Sequence, residues 1–244
     1  MCTVTYVPAS QGFILTHNRD EAPTRSPLEI TRETNPHRTL LFPRDTKAGG
    51  TWITTDDRHA TACLLNGAFV KHHHRPPYRR SRGLLLLDCM NTENPSGFLA
   101  SYDYSGIEPF TLLLFANGLV EEIRWDEQQY YSKILPADEP HFWCSSTLYP
   151  PDMQVIREQI FREWLASGRE EIHSESLFNL HRTGSVNDPE NDYVMNRQDR
   201  VRTVSITQVT KTRGESVMQY VDLLHNRQDV RSITFREEMN VPGV

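Results

Sequence analysis

Two stretches at the N-terminus decide how this chain is read: Met1-Cys2-Thr3-Val4-Thr5-Tyr6-Val7 and Gly12-Phe13-Ile14-Leu15-Thr16-His17-Asn18-Arg19-Asp20-Glu21. Both open with β-formers, and Pro8-Ala9-Ser10-Gln11-Gly12 between them has turn chemistry, so they predict a hairpin with strands over 2–7 and 12–16. A hairpin returns the end of its second strand to the start of its first. The polar run 17–21 therefore belongs beside Cys2. Trimming Met1 would leave Cys2 with a thiol and a free α-amine on one residue. The amine titrates near pH ~8 and the thiol near ~8.5, so a nucleophile would carry its own general base. Asp20 could accept hydrogen bonds from the α-ammonium, and Arg19 could steady a thiolate or hold a carboxylate in a bidentate contact.

The remaining composition narrows the class. The chain has 244 residues, is 37% hydrophobic and carries a net charge of −6. That length suits one large domain over 1–244, with no linker-like composition shift or repeat to divide it. The acidic balance argues against a general nucleic-acid binder. Cys2, Cys63, Cys89 and Cys144 lack CxxC spacing, which disfavours a zinc ribbon and, without a secretory signal, favours reduced thiols and a cytoplasmic location. No run approaches the ~20 apolar residues needed for a transmembrane helix, so no integral membrane segment is expected. Oligomeric state is left open.

Further along, 23–43 reads as loop with short extended pieces. Gly49-Gly50 precedes a strand over 51–55, and Ala60 to Leu65 is another, ending at Asn66-Gly67. A basic, proline-interrupted loop covers 71–80. Ser81 is placed to cap a helix through Met90, and a short helix is expected over 96–102. Phe110 to Phe115 and Leu119 to Trp125 form a hairpin around Asn117-Gly118. A strand is expected over 142–145. Met153, Ile156, Ile160 and Trp164 follow helical spacing over 151–167, stopped by Gly168. A short helix over 176–181 and strands over 202–209, 216–223 and 232–237 complete the chain. Runs of strands separated by runs of helices indicate an α+β fold with mostly antiparallel sheets.

The Met-Cys start, the hairpin and the tetrapeptide Asn18-Arg19-Asp20-Glu21 resemble the NRDE family, also called the transport and Golgi organisation family. Gly49-Gly50-Thr51-Trp52 is similar to a second signature of that family, and Ser81-Arg82-Gly83-Leu84 and Arg202-Thr203-Val204 to further ones. The resemblance implies an N-terminal nucleophile (Ntn) hydrolase-like fold, a four-layer αββα sandwich. Its nearest analogy is to bile-salt hydrolases and penicillin V acylases, which begin Met-Cys and cleave linear amide bonds. By that resemblance Cys2 is the nucleophile, Asp20 the carboxylate after the second strand, Asn66 the oxyanion donor and Arg202 the late-strand arginine, with Arg200 a less direct match. Arg19 joins the catalytic group, and His17, Asn18, Trp52 and Ser146 the substrate side. The sequence departs from the hydrolases twice: His17 stands where they have Arg, and Ser146, in Cys144-Ser145-Ser146-Thr147, where they have Asn.

The expected activity is hydrolysis of a small-molecule amide, with no cofactor required. The alternative implied by the resemblance is a non-catalytic trafficking protein binding haem, lipid or acyl-CoA. Haem could take a Cys, His or Tyr axial ligand. His72-His73-His74 are adjacent in a proline-rich loop and cannot all face one ion, so no metal site is expected. The Arg75 to Arg82 stretch, with four arginines, could contact an anionic substrate or lipid phosphate, but is read first as a solvated loop.

Overall fold

The computed structural model describes residues 2–27, 29–167 and 173–236. The opening hairpin forms as expected: β1 (Cys2–Ala9) and β2 (Gly12–Glu21) pair antiparallel with Cys2 opposite Arg19 and Thr3 opposite Asn18. β2 does not stop at Thr16. It runs through the whole polar cluster, because its outer edge is paired with β12 (Val201–Lys211) as far as Glu21.

These strands belong to a seven-stranded sheet, in which β10 (His141–Cys144), β1, β2, β12, β13 (Glu215–Asp222) and β14 (Arg227–Thr234) follow in that order. The two-residue β11 (Asn196–Arg197) pairs with β12 beside this path. A second seven-stranded sheet runs in chain order: β3 (Ile30–Thr34), β4 (Thr39–Pro43), β5 (Ile53–Asp56), β6 (Thr61–Asn66), β7 (Phe110–Ala116), β8 (Leu119–Trp125) and β9 (Tyr130–Leu135). Every pairing in both sheets is antiparallel.

Strand alternation builds the layers. Cys2, Val4, Tyr6, Phe13 and Leu15 of the first sheet meet Leu41, Ile53, Cys63, Leu65 and Phe115 of the second in one buried core. On the outer face of the second sheet, Leu64, Leu112 and Leu114 pack against Leu85, Leu86 and Leu99 from α1 (Arg82–Met90) and α2 (Pro95–Ser101). On the outer face of the first sheet, Val7 and Ile14 pack against Phe161, Leu177 and Leu180 from α3 (Pro151–Ala166) and α4 (Ser174–Thr183). The order is α, β, β, α, the four-layer sandwich expected from the sequence.

Local signals explain several boundaries. Asn117 and Gly118 both take positive φ, at 53° and 73°, as a two-residue hairpin turn between Ala116 and Leu119 requires. The Leu84 amide donates to Ser81 Oγ at 3.3 Å, capping α1. Three differences from the sequence reading have physical causes. The segment 23–43 holds β3 and β4: β3, at the sheet edge, has only Ile30 as an apolar residue, and the run Leu40-Leu41-Phe42 of β4 is too short to show a period, although it is fully buried between β3 and β5. β9 is mostly exposed, so its Tyr130-Tyr131-Ser132-Lys133-Ile134-Leu135 lacks a clean apolar alternation. The strand expected over 51–55 begins at Ile53 because Gly50 and Thr51 instead pack backbone-to-backbone on Gly83, with the Thr51 amide donating to Gly83 O at 3.2 Å. The last strand starts earlier than expected, at Arg227; its expected end at Glu237 and the helix stop at Gly168 lie outside the described residues. Among the described residues, no helix is long and apolar enough to cross a membrane.

Candidate active site

β2 divides the tetrapeptide Asn18-Arg19-Asp20-Glu21 between two faces. Arg19 shares the inter-sheet face with Cys2, and Asn18 and Asp20 point the other way, under the helices. The consequence is visible in every contact these residues make.

On the helix face, Asn18 Nδ2 donates to the carbonyls of His181 and Tyr193 at 2.8 and 2.7 Å. Asn18 Oδ1 must then accept from His181 Nδ1–H at 2.7 Å, which leaves His181 Nε2 to accept from the Thr5 hydroxyl at 2.7 Å. Burial holds the His181 pKa well below its ordinary value, so this neutral tautomer is the stable one. Asp20 accepts from Tyr149 OH at 2.9 Å and Thr203 Oγ1 at 2.7 Å. Burial raises the Asp20 pKa, against the pull of the nearby Arg157 guanidinium. Arg157 is itself fully buried, donating to Thr3 Oγ1 and to the Asn191 and Asp192 carbonyls.

On the inter-sheet face lies a cavity of about 290 Å³ lined by Cys2, Arg19, Trp52 and Asn66, among others. Arg19 is 4% exposed and lies 4.0 Å above the Trp52 ring. Its guanidinium is bound to the Asp45 carboxylate and donates to the Arg25 carbonyl at 2.7 Å. Asp45 also accepts from the Lys47 and Ala48 amides at 2.9 and 2.7 Å and pairs with Arg25 at 2.9 Å. It therefore fixes the turn that delivers Gly49-Gly50-Thr51-Trp52 to the wall. Gly50 has no room for a side chain: an added Cβ would sit 2.4 Å from the Gly83 carbonyl carbon. That contact brings the first turn of α1, with Ser81, Arg82 and Gly83, into the same wall.

Cys2 is 3% exposed, and burial raises its thiol pKa, an effect that Asp20 reinforces and Arg19 opposes. It stays protonated at neutral pH unless a base removes the proton. Ser145 joins β1 to the end of β6: its amide donates to Cys2 O at 2.9 Å and its hydroxyl to Asn66 O at 2.7 Å.

The sequence-derived site thus separates. Cys2, Arg19, Trp52 and Asn66 are together at the cavity. Asn18 and Asp20 are buried behind the sheet. His17 lies fully buried between the sheets, its pKa lowered to about 3 by burial, with Nε2 3.4 Å from Leu64 O. Ser146 lines a separate cavity of about 100 Å³. Arg202 is opposite Glu21 in register, with Nη1 3.3 Å from Asp199, and does not line the Cys2 cavity. Asp45, Glu108 and Ser145 were not singled out from sequence; Arg82, expected in a solvated loop, instead opens α1 and lines the cavity with Arg80. Asp45 could have been noticed as the acidic head of a turn closed by Gly49-Gly50; Glu108 carries no local signal. Glu108 accepts from His72 at 3.0 Å, His74 at 3.1 Å and Arg82 at 2.9 Å. Among the described residues, no group of three or more His, Cys, Asp or Glu is arranged to hold a metal ion.

This architecture, two antiparallel sheets between two helical layers, is an Ntn-hydrolase-like fold. Residues 1–222 match the family model "Transport and Golgi organisation 2", and the chain belongs to that family. A comparison with curated proteins returns no match. Similar solved structures include a variant of the conjugated bile acid hydrolase from Clostridium perfringens, with TM-score 0.57 and 8% identity over 98% of this chain and 97% of that one. Another is the Caenorhabditis elegans ortholog of N-acylethanolamine-hydrolyzing acid amidase, with TM-score 0.57 and 13% identity over 85% and 92%. These likenesses establish the fold.

Proposed function

We propose that the protein is a cysteine amidohydrolase cleaving linear carbon–nitrogen amide bonds, activated by removal of Met1. The observation that supports this most is the meeting of Cys2 and Asn66 at one cavity, joined through Ser145. The freed α-amine takes the thiol proton, which a buried thiol does not surrender alone. Cys2 Sγ bonds the carbonyl carbon, and the oxyanion is held by the Asn66 carboxamide and a backbone N–H. One such donor is worth roughly 10²–10³ in rate. The C–N bond then breaks as the ammonium returns its proton to the leaving nitrogen. Water attacks the thioester, releasing the acid and restoring the thiol. Arg19 acts in this reading by holding Trp52 and the Asp45 turn, and Asp20 by anchoring β2 from behind.

The test is intact mass spectrometry of protein from its native host, followed by incubation with an activated acyl ester. Loss of Met1 and a covalent acyl adduct on Cys2, absent from Cys2→Ala, are expected. A retained Met1 would refute self-activation. A Soret shift on haem titration, without any acyl adduct, would favour the binding role instead.

A further inference from the structure

We infer that the Cys2 cavity selects a small amide bearing an oxyanion, a carboxylate or phosphate, close to the scissile bond, and rejects long apolar acyl or amine chains. This rests on the amide-hydrolysis reading for the word "scissile" but not for the binding it describes. Size comes first. About 290 Å³ is at the low end of small-ligand pockets, and its walls carry seven charged side chains beside Leu64, Tyr78 and Trp52. Four guanidinium groups, of Arg19, Arg25, Arg80 and Arg82, line it against the three carboxylates of Glu21, Asp45 and Glu108. Laying an alkyl chain on such a wall would desolvate charges without replacing their hydrogen bonds.

The unspent hydrogen-bonding capacity of the wall is donor capacity. Asp45 already accepts from two amides and two arginines. Glu108 accepts from His72, His74 and Arg82, and despite its burial these partners hold its carboxyl below the ordinary range. Glu21 accepts from the Ala22 amide and from Arg25. By contrast, two buried atoms of lining side chains have no hydrogen-bond partner, and both are donors: Trp52 Nε1 and Arg25 Nε. Trp52 is 5% exposed. The first turn of α1 adds the Arg82 and Gly83 amides, which have no acceptor within a helix, and the positive end of its dipole. Arg80 completes the set. Its two-point pairing with Asp88, at 2.6 and 2.7 Å, is over one third exposed on each side, so its fork can exchange this solvated carboxylate for a bound oxyanion of the same bidentate geometry.

The experiment measures binding to the Cys2→Ala protein by isothermal titration, so that turnover is not needed. The probes are N-acetylglycine, O-phospho-N-acetylethanolamine, neutral N-acetylglycinamide and N-acetylhexylamine. At least one anionic probe should bind tenfold or more tightly than both neutral ones at low salt, with the margin narrowing at high salt; the better anion identifies the group. Arg80→Gln should weaken the anionic probe at least threefold and leave N-acetylglycinamide unchanged. Because the Arg80 side chain lies at the surface, that variant remains folded. Equal or tighter binding of the neutral or hexyl probe, no binding of either anion, or insensitivity to Arg80→Gln overturns the inference. Anion binding without cleavage by the Cys2 protein would uphold it and defeat the hydrolase reading.

Discussion

Asn18→Ala separates the two faces of β2. The substitution removes both Nδ2 donations and the Oδ1 acceptor, leaving the His181 carbonyl and the His181 Nδ1–H without these partners and the Tyr193 carbonyl with only the longer 3.3 Å contact from Thr203 Oγ1. Asn18, His181 and Tyr193 are all 0% exposed, so water cannot replace the lost bonds without entering the layer. Each orphaned buried group costs about 1–3 kcal/mol. With partial relaxation, the three together should remove about 3–6 kcal/mol from a domain whose whole stability is on the order of 5–15 kcal/mol. The cavity lies on the other face and should feel little. Urea unfolding followed by circular dichroism at pH 7 should show a lower midpoint at an unchanged slope. The alkylation rate of Cys2 by a haloacetamide, measured without urea, should stay within about twofold of wild type. A loss under about 1 kcal/mol, or a large change in Cys2 reactivity at unchanged stability, would refute the assignment of Asn18 to the helix-side network.

Asp45→Asn leaves the buried Arg19 without its counter-charge and should cost about 3–5 kcal/mol in thermal unfolding; an unchanged melting temperature would contradict the account of the turn. Gly50→Ala drives a methyl into the Gly83 backbone, so a loss of about 1–3 kcal/mol is expected, together with altered Cys2 alkylation as α1 shifts; a neutral effect would sink the close-approach argument. His17 and His181 both have depressed pKa values, His17 at about 3, through burial. Below pH ~6.5 the unfolded chain binds protons that these folded histidines refuse. Stability present above that pH is therefore lost as pH falls, by about 1.4 kcal/mol per pH unit per histidine. His17→Gln should make the loss between pH 6 and 5 shallower in denaturant titrations; an unchanged slope would place the proton uptake elsewhere. In protein retaining Met1, burial should hold back Cys2 alkylation until the pH exceeds that of an ordinary thiol, and a rate plateau below pH 8 would count against that.

Much of this molecule was legible because its signals are local. The Asn117-Gly118 turn and the Ser81 cap each follow from a few adjacent residues; α3 forms as expected, but its buried face centres on Arg157 and Phe161, and Ile156 of the expected stripe is 44% exposed. The proximity of Cys2 to the polar cluster also followed from hairpin geometry alone. What a hairpin does not reveal is the face each residue presents once the strand continues. Taking 17–21 as a strand end treated its side chains as one group. As strand interior, the period of two sends Asn18 and Asp20 to the helices and Arg19 to the cavity. Partners distant in sequence, His181, Tyr193 and Thr203 for one set and Asp45 and Trp52 for the other, decide what each does. Likewise Ser145, not its neighbour Ser146, touches both Cys2 and Asn66, a one-residue distinction set by the bend after β10.

The division has a consequence for how chemistry and folding are coupled here. Replacing residues of the tetrapeptide cannot be read as one experiment on one site. Asn18 and Asp20 variants report on the seam between the first sheet and α4, the Tyr149 segment and the 191–195 segment; Asn18 acts on Cys2 only through the strand, while Asp20 also acts on the thiol by its charge. Arg19 variants release Trp52 and the Asp45 turn, and through Gly50 they loosen the start of α1, the same wall that carries Arg82. A loss of function from Arg19→Ala would therefore arise from a displaced wall. The distinction is measurable: Arg19→Ala should change affinity for the cavity's ligand more than the intrinsic reactivity of the Cys2 thiol toward a small alkylating agent, whereas Cys2→Ser should leave affinity intact and abolish covalent capture. Loss of the Arg19 charge should also move the pH dependence of alkylation upward; if that shift were the whole effect and ligand affinity held, the placement of Arg19 over Trp52 would be incidental.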